Sequence, residues 1–214
     1  LGMSGGWNPT LHLTCHMNGR PEWNEAIAGF VPKVGMIPGL IAAGACNGVF
    51  STAACLGDGV GVGRAAVEAL GLKARTPKMP SAGDRRYNSA PLWAVAGKGR
   101  AWLDFQNDVT VKDVKQAAVE NFRSVEHMKR YTTQGMATDQ GKNSNVQALA
   151  VLADATGRGI PETGTTTYRP PFTPVAVAAM AAGAGGRGCD AGRLQWSRGR
   201  GVVAKGAVAV GGWG

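Results

Sequence analysis

The sequence predicts an α/β fold, and three stretches support that prediction. Met36 to Gly44 is a short apolar run bounded by glycines, which is typical of a buried strand. Ser51 to Leu70, closed by Gly71, has the start and stop signals of a helix. Thr110 to Met128 repeats apolar residues at spacings of three and four, which predicts an amphipathic helix.

The first 75 residues contain short elements joined by glycine turns. Leu11 to Cys15 is predicted to be a short strand, and Trp23 to Phe30 either a helical turn or a surface loop. Gly44 to Gly48 makes a tight turn before the helix that starts near Ser51. Such a turn brings unpaired N–H groups and the positive end of the helix dipole together, which suits an anion. An ordinary strand-to-helix connection explains the same pattern.

The middle of the chain is predicted to be a linker that leads into the long helix. Residues 73–92 are rich in Lys, Arg, Pro and Ser, as exposed linkers are, and we assign residues 76–103 to the linker. Ala101 to Phe105 is expected to form a short strand. Thr110 and Asp113 form a variant of the capping box, so the helix should start at about residue 111.

The segment from Thr132 to Lys142, called here the polar loop, is the candidate functional site because it concentrates polar side chains after the helix. Ser144 with Gln147 predicts a capping box for a further helix that ends at Gly157. Thr163 to Pro174 is expected to be extended, because its prolines exclude a helix.

Composition excludes several classes of protein. The 214 residues carry a formal net charge of +9, and the last 40 residues hold five basic side chains and one acidic one. No basic face interleaved with aromatics precedes that tail, which argues against nucleic-acid binding. Leu1 to Gly6 lacks the pattern of a signal peptide, and no apolar run reaches the roughly 20 residues of a membrane span. We expect a cytoplasmic protein.

Neither the cysteines nor the histidines indicate a catalytic or metal centre. The cysteines show no CxxC pairing, so they predict neither a zinc site nor a redox dithiol. Small buried thiols in a reducing cytosol are the expected state. His127 on the long helix is expected to be a surface or packing histidine. The four cysteines are Cys15, Cys46, Cys55 and Cys189.

Several segments together indicate a family. They read SGGWNPTLHL, RPEWNEAIAGFVP and DFQNDVTVKD, and then RSVEHMKRYTTQGMATDQGKNSN followed by GTTTYRPPFTPV. With these segments the chain resembles the alpha subunit of heterotetrameric sarcosine oxidase, over about Leu1 to Val175. The chain would then be a fragment of an oxidoreductase subunit.

The resemblance implies a domain order. Residues 1–75 would be the C-terminal part of a Rossmann-like NAD/FAD-binding domain, 76–103 the linker, and 104–160 a helical connector that forms an interface. Residues 161–175 would begin an aminomethyltransferase-like, folate-binding domain. Residues 176–214 depart from the family, and their Ala-, Gly-, Val- and Arg-rich composition predicts a disordered tail. Our hypothesis is that this tail is read out of frame.

The resemblance also implies an activity and its cofactors. Sarcosine would be oxidised to glycine at an FAD on the beta subunit, and electrons would pass to an FMN at the alpha–beta interface and then to oxygen. NAD would bind the dinucleotide domain, and tetrahydrofolate would accept the one-carbon unit, or formaldehyde would be released. The implied partners are the beta, gamma and delta subunits. We expect no catalytic side chain in this chain.

The resemblance makes the glycine turn an NAD contact. Ala45 would let the cofactor approach the backbone, Phe50 would cover it, and Thr52 would hydrogen-bond a phosphate oxygen, with Gly44 and Gly48 shaping the turn. Related flavoprotein folds have an Asp at the position of Ala45, so NAD is favoured over FAD in this pocket.

The polar loop is the candidate contact with FMN. Reduced flavin carries negative charge near its N1 and O2 edge, which favours a cation and N–H or O–H donors. Lys142 would supply the charge, and Thr132, Thr133 and Gln140 would supply hydrogen bonds. Alternatively, these residues cap the helix and bond the loop to itself, with Asp139 pairing with Lys142.

Two other functions remain open at this point. One is a related FAD-linked amine or opine dehydrogenase subunit that shares the glycine turn without the folate domain. The other is a non-catalytic docking module, in which Asp104 to Lys142 only binds a flavin-bearing beta subunit.

Overall fold

The structure is a computed structural model, and it describes residues 6–15, 17–85 and 87–168. Within these ranges the chain forms two antiparallel two-stranded sheets and five α-helices. The predicted tail at 176–214 and the end of the predicted extended segment lie outside the described residues. The strands are β1 (Glu22–Asn24), β2 (Gly29–Val31), β3 (Trp102–Asp104) and β4 (Val109–Thr110). The helices are α1 (Thr52–Ala69), α2 (Val111–Val119), α3 (Val125–Thr132), α4 (Asn145–Thr156) and α5 (Ile160–Thr163).

The core lies around α4, which is buried on most of its circumference. Seven of its residues are buried, and it packs against α2 and α5. An apolar helix surrounded in this way stabilises the fold through burial, at about 1.5–3 kcal/mol for each fully buried Val, Leu or Met side chain. The α2 and α3 helices contribute apolar side chains to the same core, and β2, β3 and β4 add others. The central members are Phe30, Leu103, Val109, Val114, Ala117, Met128, Leu149 and Leu152.

Several local predictions are confirmed. Ser51 caps α1, since its hydroxyl oxygen accepts a hydrogen bond from the N–H of Ala54 at 3.2 Å. Thr110 and Asp113 form the predicted capping box at the start of α2. The predicted strand before that helix is β3, and Gly157 ends α4 in the left-handed conformation.

The expected mixture of helices and strands is confirmed, but the predicted strand at Met36 to Gly44 is wrong. The described chain turns there instead, with the N–H of Leu40 bonded to the carbonyl of Ile37 at 3.2 Å. Pro38 has no N–H to donate to a sheet, and Gly39 has a φ of +75°, so the run cannot stay extended.

Two predictions for the first 30 residues also need correction. Leu11 to Cys15 is not a strand, because His12–Thr14 forms a 3-10 turn in which the Thr14 hydroxyl bonds back to the Leu11 carbonyl. Trp23 to Phe30 contains the predicted helical turn only at Glu25–Ile27, which is a 3-10 turn. Its ends pair as the β1–β2 hairpin, in which Trp23 lies opposite Phe30, and a short 3-10 turn connects them.

The long helix predicted to run to Met128 is interrupted. The α2 helix ends at Val119, Asn121 adopts a positive φ of 69°, and α3 begins after Ser124. The Ser124 hydroxyl caps α3 by accepting a hydrogen bond from the N–H of His127 at 3.2 Å. Asn tolerates the left-handed conformation and Ser is a preferred N-cap, so the two residues together break the helix. The α3 helix then ends at the polar loop.

Candidate functional site

The polar loop is attached to the turn between β3 and β4 by a buried carboxylate. Asp104 is 2% exposed, and its Oδ2 accepts a hydrogen bond from the N–H of Gly135 at 2.8 Å. Its Oδ1 accepts from the N–H groups of Gln106 at 2.9 Å and Asn107 at 3.2 Å. One ionised side chain therefore holds two loops with charge-assisted hydrogen bonds.

Side chains extend this attachment towards solvent. The Asn107 amide donates to the Thr133 carbonyl at 2.9 Å, and the Thr138 hydroxyl bonds to the side-chain oxygen of Gln106 at 3.2 Å. We call the β3–β4 turn and the polar loop together the paired loops. They expose two large apolar side chains, those of Phe105 at 79% and Met136 at 54%.

The inner side of the polar loop packs on the start of α4. Gln134 is almost fully buried, and its amide donates to the Ser144 hydroxyl at 2.7 Å. The predicted capping box is therefore not formed, because Ser144 makes no capping hydrogen bond to α4. Gln147 instead donates to the carbonyl of Trp93 at 2.9 Å, which ties the linker to α4.

The structure separates the predicted flavin contacts. The Thr132 hydroxyl donates to the Met128 carbonyl at 2.8 Å, and the Thr133 hydroxyl donates to the Thr132 carbonyl at 2.5 Å. Gln140 lines a cavity beside α3, whereas Lys142 lines a different one. The threonine hydroxyl protons are thus used within α3 and the start of the loop, and Lys142 is the predicted contact that faces the larger of these two cavities.

That space, the Lys142 cavity, has a volume of about 600 Å³. Lys142 is half-buried at its rim, and Asn145 and Tyr168 form part of its buried wall. The rest of the lining is mixed, and its polar members are Asn8, Thr10 and Asn143. The apolar members are Pro9, Leu11, Phe30 and Val146, with the exposed Trp7 at the outer edge.

Two aromatic side chains in the Lys142 cavity were missed by sequence reasoning. The rings of His12 and Tyr168 lie 4.1 Å apart and are tilted by 45°. Burial, together with the positive charge of Lys142, lowers the pKa of His12 to about 4. Burial raises the pKa of Tyr168 to about 12. At neutral pH the cavity therefore holds a neutral imidazole and a protonated phenol beside the lysine.

The glycine turn lies where it was predicted, but the N–H group of Gly44, expected to be unpaired, is hydrogen-bonded within the chain. Gly44–Asn47 forms a 3-10 turn, and Gly48 follows it with a φ of +80°. The N–H of Gly44 donates to the carboxylate of Asp58 on α1 at 2.7 Å. Thr52 is exposed at the start of α1. The turn thus uses one of its N–H groups on an anionic side chain of its own.

Ala45 and Phe50 line a second space of about 350 Å³, the Ala45 cavity. The Phe50 ring lies 4.5 Å from that of Tyr87, and the Tyr87 hydroxyl accepts the N–H of Trp7 at 2.8 Å. Gly48 closes the glycine turn against β2, since a Cβ at this position would meet the side chain of Val31 at 2.9 Å. Tyr87, a residue of the predicted linker, therefore holds Phe50 and Trp7 at the wall of this cavity.

The two cavities share a wall. Trp7, Asn8 and Thr10 line both the Lys142 cavity and the Ala45 cavity. The Thr10 carbonyl also accepts the thiol of Cys46 at 3.2 Å, which attaches this segment to the glycine turn. Ala45 and Phe50, predicted to contact NAD, and Lys142, predicted to contact flavin, thus lie on either side of one short segment, whereas Gly44, Gly48 and Thr52 line neither cavity.

The described part of the chain also shows the surroundings of His127 and of three cysteines. His127 is exposed, as expected for a surface histidine. In the same helix Glu126 forms an ion pair with Arg130 at 3.0 Å. Cys15 is a buried free thiol, and Cys46 and Cys55 are half-buried free thiols. Among the described residues no group of His, Cys, Asp and Glu is arranged to hold a metal ion. None of the helices in that part is long and apolar enough to cross a membrane.

The structure is similar to a known oxidoreductase at the level of the fold. Its match to the crystal structure of L-proline dehydrogenase from P. horikoshii has a TM-score of 0.58 at 19% sequence identity. That match covers 81% of this chain and 37% of the dehydrogenase chain.

Sequence comparisons point to one family. Residues 98–184 match the model of the sarcosine oxidase A3 domain. The chain is 45% identical to the sarcosine oxidase subunit alpha of Rhizobium meliloti (strain 1021), over 84% of this chain and 18% of that protein. It is 39% identical to the sarcosine oxidase subunit alpha of Corynebacterium sp. (strain P-1), over 91% of this chain and 21% of that protein.

These matches confirm the resemblance inferred from the sequence. The chain spans about a fifth of the length of the curated relatives, and the family model covers the linker end, the paired loops and α2 to α5. This chain is a relative of the sarcosine oxidase alpha subunits, and its residues 98–184 belong to their A3 domain family.

Proposed function

We propose that this chain is a cofactor-contacting segment of a sarcosine oxidase alpha subunit. The whole enzyme would be an oxidoreductase acting on CH–NH donors. It would convert sarcosine to glycine, with oxygen as electron acceptor and tetrahydrofolate as one-carbon acceptor. The observation that carries the proposal is the shared wall at Trp7, Asn8 and Thr10, which brings the two predicted cofactor contacts together. The similarity to sarcosine oxidase alpha subunits supports the reaction.

The lining of the Lys142 cavity fits one edge of a flavin. A cation at the rim, with aromatic and apolar side chains such as Phe30 and Leu11 and hydrogen-bonding groups such as Asn143 in the wall, suits a flat ring system whose N1–O2 edge becomes negative on reduction. When bound, FMN would accept and pass on electrons. Lys142 would stabilise the negative charge, and Thr132 and Thr133 would keep the shape of the loop through their internal hydrogen bonds.

The Ala45 cavity fits the ring end of NAD better than its phosphates. Ala45 and Phe50 offer a small side chain and an aromatic face. The Asp58 carboxylate, bonded to the N–H of Gly44, disfavours a phosphate at that group because two anions would meet there. A phosphate would have to lie towards the start of α1, where Thr52 is exposed.

The remaining parts of the enzyme would come from partner subunits. A beta subunit would carry FAD and cover the FMN at the interface, and gamma and delta subunits would complete a heterotetramer. Residues 161–175 would lead into the aminomethyltransferase-like domain that binds tetrahydrofolate. The complex would work in the cytoplasm. Within the described residues we assign binding roles and no catalytic side chain.

A second candidate function is docking alone, and it is favoured by the exposed Phe105 and Met136 on the paired loops. Large apolar side chains held on a rigid surface are typical of protein interfaces. In that case the alpha subunit would bind the beta subunit without altering its flavin. Replacing Phe105 by Ser would then weaken assembly and leave the flavin spectrum of the remaining complex unchanged.

The cofactor proposal is tested by filling the Ala45 cavity. Ala45→Trp in the full-length alpha subunit, expressed with its partner subunits, should lower the bound NAD per complex at least tenfold and leave flavin content unchanged. Ala65→Trp is the matched control, because Ala65 is exposed on α1 and away from the cavity. Equal NAD content in the two variants would remove the Ala45 cavity from NAD binding.

A further inference from the structure

Asn145 occupies the centre of the polar loop although it belongs to α4. It is the first residue of that helix and is 4% exposed. Its amide lies between Gly135 and Gly141, and a Cβ on either glycine would overlap it. Both glycines also have positive φ values, of 68° and 71°. The loop therefore closes around the Asn145 side chain, and only glycine fits on both sides of it.

The same amide connects the loop to the wall of the Lys142 cavity. Its nitrogen donates to the Gln140 carbonyl at 3.4 Å and to the Thr166 hydroxyl at 3.1 Å. Thr166 is buried and lies two residues before Tyr168, whose ring packs on His12. Asn145 thus contacts the backbone just before Lys142 and the segment that carries Tyr168.

The side-chain oxygen of Asn145 is buried and has no hydrogen-bond partner. Among the described residues it is one of few buried polar side-chain atoms in this state. Leaving a buried acceptor unpaired costs about 1–3 kcal/mol, so an apolar side chain of similar shape would be favoured if packing were all that mattered. The amide nitrogen supplies the reason for an asparagine, because it donates to the Gln140 carbonyl on the polar loop and to the Thr166 hydroxyl on the segment that carries Tyr168.

We propose that Asn145 is a positioning residue that fixes the Gly135–Lys142 end of the polar loop against the Thr166–Tyr168 segment, and so sets where Lys142 stands in its cavity. Asn145 does not itself need to touch a cofactor. The inference that the placement of Lys142 matters for electron transfer rests on the proposed function. The inference that Asn145 sets this placement does not, because all the residues involved belong to this chain.

The test uses His12 as a reporter, because its low pKa depends in part on the charge of Lys142. The C2–H signal of His12 is followed by NMR against pH in the 214-residue chain, with His12→Phe used for assignment. In Asn145→Ala the lysine is released from its place, so the pKa of His12 should rise towards the ordinary value. The amide of Gly141 should exchange with solvent at least tenfold faster.

The matched control is Ala148→Gly, which weakens α4 at a fully buried residue that is not part of the polar loop. It should lower the thermal midpoint and leave the pKa of His12 and the exchange of Gly141 unchanged. If Asn145→Ala and Ala148→Gly behave alike in both readouts, Asn145 only stabilises the helix and the proposal is wrong.

If Asn145→Ala does not fold, Thr166→Val decides. It removes one acceptor of the Asn145 amide with little change in volume. A raised His12 pKa in Thr166→Val supports the proposal, and an unchanged one overturns it. This test is independent of the proposed flavin contact. If Asn145→Ala changes the His12 pKa in this chain while Lys142→Met leaves the flavin of the complex unchanged, the positioning role holds and the flavin contact is wrong.

Discussion

The carboxylate of Asp104 accepts a 2.8 Å hydrogen bond from the N–H of Gly135, which lies 31 positions later in the chain. This contact joins the β3–β4 turn to the polar loop and places both at one surface. It also explains why a loop with exposed polar side chains keeps a defined shape, since its buried N–H is satisfied by an ionised partner.

Asp104→Asn should destabilise the chain by roughly 3 kcal/mol, because hydrogen bonds to a charged group contribute about 1.5–3 kcal/mol each and a carboxamide group offers only one acceptor oxygen. Urea unfolding measures the loss. Asp108→Asn is the control. Asp108 is exposed with a φ of 54°, a conformation that Asn tolerates. Equal stability of the two variants would show that Asp104 does not hold the loops together.

Gly141→Ala should cost more than Gly157→Ala, although both glycines have a positive φ. At Gly157 a Cβ meets open space, so only the backbone strain of about 1–2 kcal/mol applies. At Gly141 the new methyl group also overlaps the Asn145 amide, which adds about 1–3 kcal/mol. Denaturant midpoints of the two variants compare these costs, and a larger loss at Gly157 would contradict the close packing around Asn145.

His12 should make stability depend on pH. Its pKa is about 4 in the folded chain, below the ordinary 6.5, so the unfolded chain binds the proton first as the pH falls. The stabilisation is therefore complete above pH 6.5 and is lost as the pH falls towards 4. The loss amounts to about 3 kcal/mol.

The measurement for this prediction is urea unfolding at several pH values, compared with His12→Phe. The phenylalanine keeps a ring against Tyr168 and cannot titrate in this range. The carboxylates contribute equally to the pH dependence of unfolding in both proteins, so the difference between the two curves reports on His12. Parallel curves for the two proteins would mean that His12 is not held in its neutral form.

Local signals in the sequence predicted the parts of the fold that depend on neighbouring residues. The Thr110 and Asp113 capping box, the Ser51 cap and the Gly157 stop all act within one helical turn, so they are visible in the sequence. The break at Asn121 was missed because the apolar spacing continues through it and masks the turn signal. The strand expected at residues 36–44 failed because Pro38 and Gly39 outweigh the apolar composition.

The candidate site could be predicted only in part. Lys142, Ala45 and Phe50 do line cavities, but nothing in their spacing shows that residues 7–10 join those cavities. The roles of Asp104 and Asn145 depend on contacts 31 and 21 positions away, to Gly135 and Thr166 respectively. Such contacts follow from how the elements pack, and a single sequence does not reveal them.

The proposed function places Lys142 beside a flavin in the assembled enzyme. Its most direct test is the flavin midpoint potential in the full-length complex carrying Lys142→Met, with Lys115→Met on the exposed side of α2 as control. The loss of a cation beside the reduced ring should lower the potential by about 30 mV or more, a factor of ten for a two-electron couple. Potentials that agree between the two variants and the unaltered complex would contradict the claim.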